Sequence, residues 1–122
     1  ENKFKESPFI EQMLVVGEGQ RFPSALIVPA FEHLKSWAAF KGIEFLSNEA
    51  LVKDALVIEK YQKEIDEYNA EFGNWEQIKK FILLSQEWSI DGGEMTPKLS
   101  VKRKVVMEKF KKEVESIYAV KN

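Results

Sequence analysis

The chain has 122 residues, a net charge of −2, 31% charged and 44% hydrophobic residues, a balance that suits one folded domain and argues against disorder. It has no cysteine and one histidine, His33, which excludes a disulfide scaffold, thiolate metal sites and multi-histidine metal sites, and fits a reducing compartment such as the cytoplasm. The negative balance argues against a general nucleic-acid binder, and no run approaches the roughly 20 apolar residues of a membrane span.

The chain opens Glu1-Asn2-Lys3, with no initiator methionine and already in a helix-like run, as expected of a piece of a longer protein. Asn2 to Ser7 reads as the tail of a helix stopped by Pro8. Phe9–Val16 and Phe22–Val28 are strand-like runs joined by Gly17-Glu18-Gly19-Gln20, a hairpin signal. Ala25 to Val28 is continuously apolar, which predicts cover on both faces, and Pro29 ends the run. Phe31 to Lys41 carries Phe31, Leu34, Trp37 and Ala38 on one helical face and stops at Gly42. His33 lies in this helix and reads as a surface residue.

Ser47 caps a long predicted helix in which Leu51, Ala55, Ile58, Ile65 and Phe72 recur at helical spacing. Lys53, Asp54, Glu59, Lys60, Lys63, Glu64 and Glu67 form its solvated face, and Gly73 ends it. Asn74 with Gln77 resembles a capping box for a short helix around Trp75–Lys79. Phe81 to Leu84 is a third buried strand, and a last helix runs from about Val101 to Tyr118. The reading is α+β: a small, mainly antiparallel sheet packed by helices, one domain over residues 1–122. Trp37, Trp75 and Trp88 read as core or interface anchors.

Trp88 to Lys104, WSIDGGEMTPKLSVKRK, is the one place where chemistry concentrates. It holds a turn (Asp91, Gly92, Gly93), a Thr96-Pro97 pair and the cations Lys98, Lys102, Arg103 and Lys104, with Ser100 as the expected N-cap. Cations in a first helical turn oppose the macrodipole at a cost of a few tenths of a kcal/mol each. Exposed N–H groups beside a basic cluster describe a phosphate site; a solvated basic face is the plainer reading. No glycine-rich phosphate loop, HExxH or nucleophile elbow occurs, and the carboxylates are too dispersed for a paired acid and base.

The order GEMTP, Lys, Ser, KRK resembles the C-terminal region of AMP-forming long-chain fatty acid–CoA ligases of the adenylate-forming enzyme superfamily. SPFIEQ, VVGEGQRFPSALIVPAFEHLKSWA and WEQIKKFILLSQEWSI agree, so the resemblance covers Glu1 to about Tyr118. It implies the mobile C-terminal domain of such a ligase. The N-terminal adenylation domain of the same chain, with the phosphate loop, the acyl tunnel and the hinge, is expected outside this sequence. The resemblance implies ATP and CoA as co-substrates, magnesium in the full-length enzyme with no metal site here, and a fatty acid substrate. It implies no nucleic acid, and leaves peripheral membrane association of the parent open. Alone, the domain is expected to fold but not to catalyse.

In the family's TPTLKLKRK-like run, Thr96 and Pro97 match, but the family's lysine falls on Ser100, which carries no charge. Lys98 is the first candidate to supply the missing cation and Lys102 the second. Thr96, Ser100, Arg103 and Lys104 are the expected substrate-binding residues. A different class of function, a non-catalytic module that holds an anionic partner on the same basic loop, stays open at this point.

Overall fold

The computed structural model describes residues 4–73 and 76–119. Strand β1 (Ile10–Val16) pairs antiparallel with β2 (Ser24–Pro29), from Gln12 opposite Val28 to Val16 opposite Ser24. Strand β3 (Lys80–Leu83) pairs parallel with β2, from Ser24–Lys80 to Ile27–Leu83, so the sheet is mixed, in the order β1-β2-β3. The parallel pairing follows from the connection: after β2 the chain runs through three helices before returning, which a tight hairpin cannot do.

Those helices are α1 (Phe31–Phe40), α2 (Asn48–Lys53) and α3 (Ala55–Asn69); α4 (Arg103–Lys109) and α5 (Lys111–Tyr118) follow β3. The predicted double cover of β2 is met, with all six of its residues buried. Its period of two divides the core. Ala25 and Ile27 join Met13, Leu83, Leu34, Val57, Tyr61 and Ile65 under α1 to α3. Leu26 and Val28 join Leu14, Val16, Leu84, Trp88, Met95 and Val106 under α4. The loop that carries the candidate residues is therefore built on the second face of the sheet.

The expected hairpin between β1 and β2 forms. At its neck, Gly17 has φ +122°, and a β-carbon there would lie 2.5 Å from the Tyr118 hydroxyl and 2.8 Å from the Phe22 carbonyl oxygen. Tyr118 donates to that Phe22 carbonyl (2.7 Å), clasping the end of α5 to the hairpin. Helix α1 ends as predicted: the N–H groups of Gly42 and Ile43 return to the carbonyls of Ala39 and Ala38. His33 is exposed, as read, with its ring edge-on to Phe9 at 4.5 Å between centroids.

Several boundaries differ from the sequence reading. The helix predicted from Ser47 starts there, with the Ser47 hydroxyl accepting from Ala50 N–H at 3.1 Å. It breaks at Asp54, which leaves the charged face to cap α3 by accepting from Leu56 N–H at 2.8 Å. The break resets the helical phase, so Val57, Tyr61 and Ile65 are buried while Ala55 and Ile58 face solvent. Glu64 is buried too, accepting a hydrogen bond from Ser7. Helix α3 ends at Asn69 rather than Gly73, because Asn69 turns its amide to Ile78, donating to its carbonyl and accepting from its N–H. Asn74 and Trp75 lie outside the described residues. Gln77 donates instead to the carbonyls of Asn69 and Phe72, with no helix over 76–79. The described part of the opening segment is one 3₁₀ turn, Phe4–Glu6. The last predicted helix is two, broken at Phe110 (φ −109°, ψ 28°), whose ring packs toward Trp88.

Candidate functional site

Residues 88–102 form a supported hairpin that leads into α4. Trp88 is buried and anchored to β1 by a two-point bond: Gln12 Oε1 accepts from Trp88 N–H at 2.6 Å and Gln12 Nε2 donates to Trp88 O at 2.8 Å. The expected turn follows, closed by Gly93 N–H to Ile90 O. Met95 and Val101 then face each other as an antiparallel bridge, the neck of a hairpin whose tip is Thr96 to Ser100.

At the tip, Thr96 N–H donates to Ser100 O and Leu99 N–H donates to Thr96 O, both at 2.8 Å, while Thr96 Oγ1 accepts from Ser100 N–H at 3.1 Å. The tip is a β-turn followed by a residue in the left-handed region, a standard way to close a short hairpin and one that calls for glycine at that last position. Here that residue is Leu99, with φ 64°, the one non-glycine residue at positive φ among the described residues. A left-handed leucine costs on the order of 1–2 kcal/mol. Pro97, Lys98, Leu99 and Ser100 are all exposed.

Ser100 is thus not the N-cap, a place taken by Lys102; its backbone N–H and carbonyl are both bonded to Thr96 across the hairpin. Lys102 caps α4, without a side-chain cap bond, and its own N–H donates to Glu94 O at 2.7 Å. Thr96 and Ser100 are brought together across the hairpin, and Lys98 extends from its turn. Arg103 opens α4 and donates from Nη2 to Val15 O at 2.5 Å, tying the helix to β1. Lys104 lines a cleft of about 590 Å³ with Gly17, Gln20, Met107 and Tyr118.

Two residues that the sequence reading passed over hold this arrangement. Glu94 is buried at 6% exposure, accepts from Ser89 N–H at 2.9 Å and forms an ion pair with Lys109 of α4. Lys109 also donates to Gly92 O at 3.1 Å. The fit around the carboxylate leaves no room at Gly92, where a β-carbon would collide with Glu94 and lie 2.9 Å from Ser89 Oγ. GGEM in the sequence marks the turn, but Lys109 stands among many helix cations and carries no local signal.

The Lys109 ammonium first, and the Ser89 N–H second, hold the Glu94 carboxyl below its ordinary value of 4.5, against burial, which alone would raise it. A depressed carboxyl stabilises the fold above its unfolded value and loses that contribution as pH falls through the folded one. The unfolding midpoint of the chain should therefore exceed that of Glu94→Gln near neutrality, and the gap should begin to narrow as pH falls below about 4.5. Denaturant titrations at pH 7 and pH 3.5 check this; a gap of equal size at both would show that the carboxylate charge contributes nothing.

The family model of the AMP-binding enzyme C-terminal domain matches residues 1–122. The chain belongs to this family. Among curated relatives, it is 34% identical over 119 residues to the long-chain-fatty-acid–CoA ligase FadD15 of Mycobacterium tuberculosis, covering 97% of this chain and 20% of that protein. It is 31% identical over 122 residues to human long-chain-fatty-acid–CoA ligase 1, covering 98% and 17%. The domain thus spans about a fifth of the length of the relatives it matches. The fold recurs in the A-PCP didomain of the carboxylic acid reductase of Segniliparus rugosus, solved with AMP, with a TM-score of 0.73 and 19% identity, over 97% of the domain and 15% of that chain. It recurs also in the adenylation domain of the carboxylate reductase of Mycobacterium chelonae, with a TM-score of 0.69 and 23% identity, over 97% and 17%.

Among the described residues, no group of three or more His, Asp or Glu side chains could hold a metal ion. No helix among them is long and apolar enough to cross a membrane.

Proposed function

We propose that this domain is the mobile C-terminal part of a long-chain fatty acid–CoA ligase, and that it delivers its hairpin cation to an N-terminal adenylation domain of the same chain. In the first step a fatty carboxylate oxygen attacks the α-phosphorus of ATP, pyrophosphate leaves and acyl-adenylate forms. In the second, the thiol sulfur of CoA attacks the acyl carbon, its proton passes to solvent and AMP leaves. Negative charge builds around the α-phosphate in the first step, and a preorganised cation there stabilises it.

The observation that carries the reading is the agreement of a whole-chain family match with a hydrogen-bonded hairpin that exposes Lys98 at its tip. Lys98 is the adenylation cation in this reading and Lys102, at the start of α4, the second choice. Thr96 and Ser100 shape the tip and line the substrate side, while Lys104 meets phosphate or the other domain. Arg103 does its work as a brace, through Val15. The second step needs the tip withdrawn, which a rotation of the whole domain achieves because the hairpin is tied to the sheet. We place the reaction in the cytoplasm, with any membrane association peripheral. The alternative of a non-catalytic module for an anionic partner has no observation of its own in the structure.

The test is to supply palmitate, ATP and CoA to the full-length chain and to the 122-residue chain separately. Pyrophosphate release and palmitoyl-CoA are expected from the first and neither from the second. A full-length chain that makes no acyl-adenylate from any fatty acid would overturn the ligase reading. Turnover by the 122-residue chain would show that the active site had been misplaced.

A further inference from the structure

Leu99 pairs two features that folding alone does not explain. Its side chain is 67% exposed, and its backbone sits at φ 64°, where glycine is the unstrained choice. The hydrogen bonds that shape the tip run from the Thr96, Leu99 and Ser100 N–H groups to the Ser100 carbonyl, the Thr96 carbonyl and the Thr96 hydroxyl, all of which a glycine at 99 would keep. Within this domain the leucine side chain therefore adds strain with little burial in return. Other exposed large apolar residues, such as Phe40, Leu46 and Leu56, have ordinary negative φ and raise no such question. Strain of this kind persists where the site has a use for it.

We propose that Leu99 is a docking wedge: an apolar side chain that seats in a socket on the N-terminal adenylation domain when the hairpin closes, fixing the depth and direction of its neighbour Lys98. The inference rests on the ligase reading above and adds a positioning residue to it. The occupant follows from the neighbourhood. The leucine lies between Lys98 and the cations Lys102, Arg103 and Lys104, so the surface it meets combines an apolar recess with negative charge, as a site holding a fatty carboxylate and nucleotide phosphates does. The relatives, about five times longer than this domain, have ample chain to provide it. An apolar seat also explains why the tip is built without freedom at Thr96 and Ser100: a wedge positions its neighbour only if the turn beneath it is stiff.

The experiment compares Leu99→Gly and Leu99→Met in the full-length chain by single-turnover kinetics of each half-reaction, with thermal midpoints measured alongside. Leu99→Gly should slow acyl-adenylate formation at least tenfold, leave thioester formation from supplied acyl-adenylate within about threefold, and keep or raise the thermal midpoint. Leu99→Met should restore most of the adenylation rate. A merely structural residue would lower the midpoint and both half-reactions together. Adenylation by Leu99→Gly within twofold of the parent overturns the wedge, while a parent that forms no acyl-adenylate overturns the ligase reading instead. In that case hydrogen exchange still decides docking: residues 96–101 should be better protected in the full-length chain than in the 122-residue chain, and equal exchange overturns the wedge. Binding of the 122-residue chain to vesicles containing anionic lipid that is lost in Leu99→Gly, with both half-reactions unaffected, would assign the leucine to a lipid surface and also overturn it.

Discussion

On the proposed ligase function, Lys98→Ala in the full-length chain should slow acyl-adenylate formation by roughly two orders of magnitude or more. One well-placed cation beside a transferring phosphate contributes a few kcal/mol in a site closed to water, because the donor is already oriented when charge develops. Ser100 cannot supply that charge, and its backbone is committed to Thr96. Lys98 sits in the exposed turn of the same hairpin, whereas Lys102 is held back at the head of α4 with its N–H on Glu94 O. Thioester formation from supplied acyl-adenylate should change far less, since the proposed rotation withdraws the cation before that step. Lys102→Ala should show a weaker version of the same split. The check is single-turnover kinetics of both half-reactions. If Lys98→Ala stays within about threefold of the parent while Lys102→Ala abolishes adenylation, the helix lysine is the catalytic one.

Lys109→Met should be nearly as damaging, by another route. It strips the partner from a carboxylate that is 6% exposed, and removes the bond to Gly92 O that pins the turn. Loss of a charged hydrogen bond to a buried group costs about 1.5–3 kcal/mol, and the Lys109 side chain is itself 46% exposed, which argues for the lower part of that range. For a domain of this size that is a fall of roughly 5–10 °C in thermal midpoint. Because the same turn aims the hairpin, adenylation should fall about tenfold even at temperatures where the variant is folded. Lys109→Arg should recover most of the stability. The double variant Glu94→Gln with Lys109→Met should cost clearly less than the two singles added, since both remove one interaction. Additive losses would mean that the pair is incidental to the turn, and an unchanged midpoint in Lys109→Met would remove it from the account altogether.

What could be read from the residues was what local chemistry determines. The continuous apolar run in β2, the glycines of the first hairpin, Gly42 after α1 and the Ser47 cap each point to one local structure, and each forms. Asp54 shows where that logic stops. An aspartate inside an amphipathic pattern reads equally as solvated charge or as a new cap, and only the packing of Val57, Tyr61 and Ile65 against the sheet decides. Ser100 fails for a related reason, since a serine suits a hairpin neck as well as a helix start. At the site, Thr96 to Lys104 stood out in the sequence as a basic loop after a turn. Its supports did not, because Gln12, Val15 and Lys109 meet it only through the tertiary fold. The strain at Leu99 was equally hidden: the sequence shows a leucine, and only the backbone shows that it occupies a glycine's place.

The parallel pairing of β3 with β2 also bears on the order in which the domain is assembled. The β1–β2 hairpin is local and closes early, on the microsecond scale typical of hairpins. β3 can join only after a crossover of roughly fifty residues has been brought round, with its closure entropy met in advance. Leu84 and Trp88, which join Leu14, Val16, Leu26 and Val28 in the second core, come after β3 in the chain. The sheet strands therefore leave a ribosome before the hairpin that carries Lys98, and α4 and α5, which brace that hairpin, follow it.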